Sequence, residues 1–483
     1  MRLRSLEYKK IVAVAFVFGV FMDILDTTIV NVAVPSLQRN FGVGASRIEW
    51  VITGYLCSLA VWIPASGWIG DRFGTKRTFL FALAMFTGSS ALCGAAWSAN
   101  SLIAFRVLQG VGGGMLTPVG TAMLFRAYPP NERARASAVL AIPTVLAPAL
   151  GPVLGGLLVT HTSWRWIFIV NVPIGVLGLV FSAVYLEEHK EPRGGGFDVG
   201  GFLLSGAGLA LVLFALAEGP SKGWTSREVL GTGVAGVAAF ALLVFVELRL
   251  PDPMLDLRLF GNRMFRQANI ATMALSGSLL GLLFLLPMFL QGLRGLSAQQ
   301  SGLATFPQAL GVMTMARVAG NLYPKVGPRR LMMFGSLTNA LVTLGFIFVG
   351  LGTSLWWVRL LMYTRGLTMA FVMVPMQAAS FVTIPAAKTG RASSLLSTNR
   401  QVGAALGVAT LATILTSRTT SLVARATPLG AAAIRNAKAT AFHQAMFASA
   451  VIGFVGVVAS YFVHDSDAAS SMQSRVPVSA ETH

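Results

Sequence analysis

Gly67-Trp68-Ile69-Gly70-Asp71-Arg72-Phe73-Gly74-Thr75-Lys76-Arg77 is a short charged stretch between two long apolar runs, and its reading decides the fold. Its glycines permit a tight turn, and its charges do not belong to the runs on either side. The same spacing returns at Gly320, Gly327 and Arg330. Pro118 is echoed by Pro375, and Ala149-Leu150-Gly151 by Ala405-Leu406-Gly407, all at an offset of roughly 255 residues. A charged turn that recurs in this way predicts two parallel halves, related by a pseudo-twofold axis along a membrane normal, with a central pathway between them.

Composition agrees with a membrane setting. Of 483 residues, 54% are hydrophobic and only 11% are charged, which excludes an ordinary soluble protein. A spanning helix needs about 20 apolar residues, and runs of that kind number about fourteen here. The expected fold is therefore all-α integral membrane: an N-terminal six-helix bundle over 1–186, a linker over 187–266 holding two extra transmembrane helices, a C-terminal six-helix bundle over 267–464, and a cytoplasmic tail over 465–483. The first run resembles a signal peptide at its basic start, but its length and its two aspartates predict that it stays as a helix.

The 37 Lys+Arg residues against 18 Asp+Glu give a net charge of +19. In a soluble chain that balance would suggest nucleic acid. Here the cations fall between apolar runs, so they read as loops on the inner face of a cell (inner) membrane, with both termini cytoplasmic and the bilayer, not nucleic acid, as the partner. One loop resists this pattern. The segment 418–441 carries Arg418, Arg425, Arg435 and Lys438; either it is an ordered external hairpin, the reading we favour, or the last two spans are displaced. Cys57 and Cys93 lie in apolar runs without metal-ligand spacing, so they read as packing residues and no metal site is expected.

Several polar residues within the runs point to function. Asp23 and Asp26, three apart in the first run, share a helix face, and an acid at membrane depth costs roughly 2.5–3.5 kcal/mol on insertion scales. The pair can hold a proton, or one member can simply anchor a neighbouring helix. Arg106, beside Gln109-Gly110 and the run Gly112-Gly113-Gly114, needs a carboxylate, carbonyls or water at that depth. Asp71 is expected to face the bases of its own turn and the Glu132-Arg133-Arg135 cluster of the next inner loop. In the fifth run Pro148, Gly151, Pro152, Gly155 and Gly156 allow close helix approach and bending. Met362, Met369, Met373 and Met376 form a stripe that suits either ordinary packing or an adaptable cavity. Arg317, Arg365 and Arg400 have no accompanying acid in the second half, which argues against a site built for dications and leaves neutral, monocationic and anionic amphiphiles open.

Leu25-Asp26-Thr27-Thr28-Ile29-Val30-Asn31-Val32-Ala33-Val34-Pro35, the turn at 67–77 and Arg106-Val107-Leu108-Gln109-Gly110 resemble signatures of the major facilitator superfamily. With Gly151-Pro152, Gly155-Gly156 and Trp164-Arg165-Trp166-Ile167-Phe168 leading to Asn171-Val172-Pro173, the chain resembles its fourteen-helix drug:proton antiporters (EmrB and QacA type). The resemblance implies a proton-coupled exporter of small amphipathic compounds, driven by the proton gradient without a cofactor and with no catalytic residue. It implies proton coupling through Asp26, Asp23 and Arg106, a cytoplasmic gate formed by Gly67, Asp71, Arg72, Gly74 and Arg77, and an antiporter helix marked by the proline and glycine residues of the fifth run. Gln109, Met369 and Met373 are candidates for the substrate cavity. Two departures stand out: Ala147 replaces the glycine that usually opens the antiporter pattern, and Pro324 stands where a second Asp71 would be, so the gate is expected to be one-sided. A dedicated exporter of one lipid, siderophore or metabolite is the alternative within transport, and a periplasmic adaptor stays open. A membrane enzyme such as a lipid transferase would need convergent acids, histidines or nucleophiles in its loops, whereas His161, His189, His443 and His464 are scattered.

Overall fold

In lipid each backbone amide must find its partner within its own segment, so apolar runs of this length become helices. The computed structural model describes residues 7–191 and 196–472, and these are helical with short connections. Arg2 and Arg4, which the charge pattern assigns to the inner face, part of the linker and the end of the tail lie outside the described residues.

The first part of the chain forms α1 (Tyr8–Phe41), α2 (Ala45–Phe73), α3 (Thr75–Gly94), α4 (Ala99–Ala127), α5 (Arg133–His161), the single turn α6 (Trp166–Ile169) and α7 (Asn171–Tyr185). Two helices follow in the linker, α8 (Val199–Lys222) and α9 (Arg227–Glu247). The remainder forms α10 (Arg263–Pro287), α11 (Ala298–Thr305), α12 (Pro307–Val326), α13 (Pro328–Leu344), α14 (Leu355–Val382), α15 (Thr389–Ala426) and α16 (Ala431–Tyr461).

Among the described residues, 12 helices are long and apolar enough to cross a membrane. Two of the expected spans fall outside this group although both are helical. The run at 77–97 becomes α3, which opens on the polar Thr75-Lys76-Arg77-Thr78. The run at 298–322 divides into α11 and α12 at Pro307 and carries Gln308, Arg317 and Lys325. Pro307 sits at the first position of α12, where its missing amide hydrogen costs nothing.

Glycines set how closely the helices pack. Gly110 and Gly114, four apart on α4, lie against the backbone of α2: a Cβ on either would stand 2.7 Å from the Tyr55 carbonyl or 2.6 Å from that of Leu59. Gly112 meets α3 in the same way, 2.5 Å from the Ala82 carbonyl. Elsewhere in the bundle Gly277 of α10 and Gly407 of α15 touch backbone to backbone. Small residues at such crossings maximise van der Waals contact where lipid offers no hydrophobic drive between helices.

The linker helices are not detached. Leu209 and Leu213 of α8 bury themselves against Ala60 of α2, with Val402 and Ala405 of α15 beside them. Trp224 Nε1 donates to Thr413 Oγ1 at 3.0 Å. The segment 418–441 is a helical hairpin: α15 and α16 continue through it and turn over Thr427–Leu429 and Gly430, whose φ of 95° only glycine adopts readily.

Candidate functional site: a buried ion pair, a closed end and a cavity

Asp26 and Arg106 are brought together by the α1–α4 crossing, and both are shut off from solvent, at 0% and 1% exposure. Arg106 Nη1 donates to Asp26 Oδ2 and also to Gln109 Oε1 at 2.7 Å. Gln109 Nε2 returns to Asp26 Oδ1 at 3.0 Å, and Asn171 Nδ2 reaches the same oxygen at 3.1 Å. Arg106 Nε donates to the Val51 carbonyl at 3.0 Å, and the guanidinium lies 4.0 Å from the centre of the Tyr55 ring. Both charges are thus paired and further hydrogen-bonded, the condition under which an ion pair survives burial. The motif residue Asn171 turns out to be a ligand of Asp26. Gln109 sits in this cluster and not among the residues lining the cavity.

Asp23, one turn earlier, does not touch Arg106. Tyr55 Oη donates to its Oδ1 at 2.6 Å and Thr117 Oγ1 to its Oδ2 at 3.1 Å. Gly113 makes room for this arrangement, since a Cβ there would stand 2.7 Å from Tyr55 Oη and 2.9 Å from Asp23 Oδ1. The two aspartates therefore have separate partners, and neither Tyr55 nor Thr117 carries any signal in the sequence. Asp23 and Asp26 are not the only acids in the candidate spans, which also take in Glu49, Asp71, Glu132, Glu218, Glu228 and Glu247. Glu247, at the end of α9, is 1% exposed and accepts from the Leu255 amide at 3.2 Å.

The expected turn at 67–77 shrinks to Gly74 alone, since Gly67–Phe73 continue α2 and Thr75 opens α3, and at this end of the bundle α2 closes against α15. A Cβ on Gly67 would stand 2.5 Å from the Gly390 carbonyl, and the Gly67 amide donates to Ser394 Oγ at 2.8 Å. Asp71 pairs with Arg126 of α4 at 2.7 Å, and Arg126 also approaches Glu191 at 3.6 Å. The cluster at 132–135 is not its partner: Glu132 binds Lys9 at 2.7 Å, and Arg133 donates to the Phe381 carbonyl of α14. Phe125 stacks on Phe381 with ring centres 4.3 Å apart. At Gly74, φ is 103°, and the Glu188 carboxylate occupies the space a side chain would need. That carboxylate accepts from the amides of Lys76 at 3.0 Å and Arg77 at 3.2 Å, capping α3. The Arg77 side chain itself is 80% exposed and 3.7 Å from Glu188.

On α5, Gly151 and Gly155 pack against Thr28 and Ile29 of α1, just beyond Asp26, whereas Gly156 faces open space. Pro152 touches α11 at Gly302, and Pro148 lies beside Ala149 and Thr144 in a small recess. Within the bundle is a cavity of about 60 Å³, with Phe16 and Thr117 on one wall and Met369, Met373, Met376 and Arg400 on the other. Met362 belongs to a separate apolar cluster with Phe289 and Phe442. Arg365 is fully buried, and its partners are neutral: Gln308 Oε1 at 2.9 Å, Thr343 Oγ1 at 3.2 Å and the Ser278 carbonyl at 3.2 Å.

A helical bundle with this many candidate spans, a sealed charge cluster buried within it and a closed end has the build of a polytopic membrane transporter. Residues 16–408 match the sequence model of the Major Facilitator Superfamily. The multidrug resistance protein B homolog of Mycobacterium tuberculosis is 38% identical over 397 residues, 81% of this chain and 73% of that protein. The putative multidrug resistance protein MdtD of Serratia proteamaculans is 34% identical over 81% of this chain and 82% of its own. Among solved structures, the human organic anion transporter MFSD10 (TETRAN) superposes with a TM-score of 0.64 at 17% identity, covering 94% of this chain and 99% of its own. The proton:xylose symporter XylE gives 0.60 at 15% identity, covering 95% and 97%. The chain belongs to the major facilitator superfamily and is a transporter, not an enzyme.

Proposed function

We propose that this transporter is a proton-coupled exporter of small amphipathic compounds that works by alternating access. The names of its relatives point to multidrug resistance. In this reading fourteen helices span an inner membrane, as two six-helix halves over 1–186 and 267–464 with α8 and α9 inserted between, and both termini are cytoplasmic. The proton gradient drives the cycle, so no cofactor takes part.

The observation that carries the reading is the sealed Asp26–Arg106–Gln109–Asn171 cluster, a titratable acid buried inside the bundle, where an ionisable group is costly and marks function. Protonation of Asp26 would release Arg106 and Asn171 and loosen α1 from α4 and α7. Asp23, tied instead to Tyr55 and Thr117, is the second proton carrier, and Thr117 links it to the cavity where substrate sits against Met369 and Met373. The Gly67–Arg77 stretch with Asp71 serves as the cytoplasmic gate, closed in this conformation, and Gly151 and Gly155 transmit movement between α1 and α5. Proteoliposomes with an imposed pH gradient test this: a panel of amphipathic dyes should leave the compartment as protons enter, and transport that ignores the gradient would refute coupling. A panel in which one compound alone moves would mark a dedicated exporter.

A further inference from the structure

Arg400 differs from the other cations held inside the bundle. Arg106 has Asp26, Arg126 has Asp71, and Arg365 has a shell of neutral oxygens. Arg400, on α15, makes no hydrogen bond and no ion pair within the described residues, and its side chain lines the central cavity. The remaining lining is uncharged. Phe16, Leu275, Met369 and Met373 present apolar surface, and Thr117 and Gln377 present neutral polar atoms. The acid whose field reaches Arg400 is Asp23, but both Asp23 oxygens are already engaged by Tyr55 and Thr117.

A guanidinium held in a mainly apolar cavity without a partner is a recognition element awaiting an acceptor. Its planar fork matches a carboxylate, sulfonate or phosphate through two parallel hydrogen bonds. The same charge repels a cation, and the lining holds no carboxylate to offset that repulsion. We propose that Arg400 is the specificity-determining residue of the cavity and that it selects anionic amphiphiles, with the acidic group on Arg400 and the apolar body against Met369, Met373 and Phe16. This rests on the cavity being the substrate site of the exporter proposed above, and it assigns that site a substrate charge.

Two probes that differ only in the acid test it: anilinonaphthalene sulfonate and its neutral twin phenylnaphthylamine. Binding to purified full-length protein is followed by tryptophan quenching, and export from proteoliposomes is followed in parallel. The wild type should bind the sulfonate at least about tenfold more tightly than the twin. In Arg400→Gln that ratio should collapse to about one, and Arg400→Lys, which keeps the charge but loses the fork, should fall between. The twin's own binding reports that each variant is folded, and Arg400→Lys carries the test if the glutamine variant fails to fold. A ratio near one in the wild type, or a ratio unmoved by either substitution, overturns the proposal. Export of the twin or of tetraphenylphosphonium, with no preference for the sulfonate, would sink the anion assignment alone. Sulfonate binding that depends on Arg400 without export of any probe would uphold the site and overturn the exporter reading.

Discussion

Gly390 of α15 lies directly on the carboxylate of Asp71 of α2: a Cβ built on the glycine would stand 2.6 Å from Asp71 Oδ1. Neither residue can grow without moving the other, and Arg126 fixes the acid from behind. Gly390→Ala and Asp71→Asn should therefore weaken the same closed end. Removing one partner of a largely buried pair costs about 3–5 kcal/mol, and each ~1.4 kcal/mol is a tenfold shift in population. With Cys57 and Cys93 replaced, single cysteines at the two ends of the pathway should show accessibility moving toward the Asp71 end by at least about tenfold in either variant. An unchanged labelling pattern would reduce the turn to a solvated loop.

The Asp26 cluster gives a second expectation. Asp26→Asn should abolish pH-driven efflux and also lower thermal stability, because Arg106 is left as a buried charge without its counterion. Adding Arg106→Gln should restore most of the stability but none of the transport. A double-mutant cycle read by melting temperature and by efflux separates the two effects. Full gradient-driven efflux by the single variant would remove Asp26 from the coupling mechanism.

Met369→Ala and Met373→Ala test the cavity. Both side chains are buried, so each truncation should cost roughly 2–5 kcal/mol of stability. Beyond that loss, the order in which compounds are exported should change, because adaptable apolar contacts disappear from one wall. Uniform loss across all compounds, in proportion to folded protein, would make these methionines packing residues only.

The cap of α3 offers a milder test. Glu188→Gln keeps only one of the two oxygens that accept from the Lys76 and Arg77 amides and removes the charge facing the helix N-terminus, and it should lower stability by about 0.5–2 kcal/mol. Gly74→Ala should cost more, since it combines a positive φ with a collision against the same carboxylate. Melting curves of the two variants should keep this order.

How far the sequence can be read follows from what each signal depends on. Apolar runs are local, so every expected span is found as helix, and the helices too polar to count as candidate spans are so through residues visible in the chain, such as Arg317 and Lys325 of α12. The motif residues Asp26, Arg106 and Asn171 are visible as well, but their meeting is not, because it depends on α1, α4 and α7 converging. Tyr55, Thr117, Arg126, Glu188 and Gly390 are silent for the same reason. Each is an ordinary residue type whose importance comes from a neighbour far along the chain, as in Tyr55 with Asp23, 32 positions apart, and Arg126 with Asp71, 55 apart. Proximity in sequence points Asp71 to the wrong bases, those of its own turn and of the 132–135 cluster, whereas the helix ends bring Arg126 to it.

Helix α15 has 38 residues, which makes it about 57 Å long against a hydrocarbon layer of about 30 Å. Its first turns hold Gly390 and Ser394 at the closed end, and its far end carries Arg418 and Arg425 into the exposed hairpin. One stiff rod therefore joins the closure to the opposite surface and behaves as a lever arm. A tilt of about 10° about the Gly390 end would sweep the hairpin tip through roughly 10 Å. In the proposed orientation that tip stands outside the cell, so a fluorophore there would report the position of the cytoplasmic closure from across the bilayer.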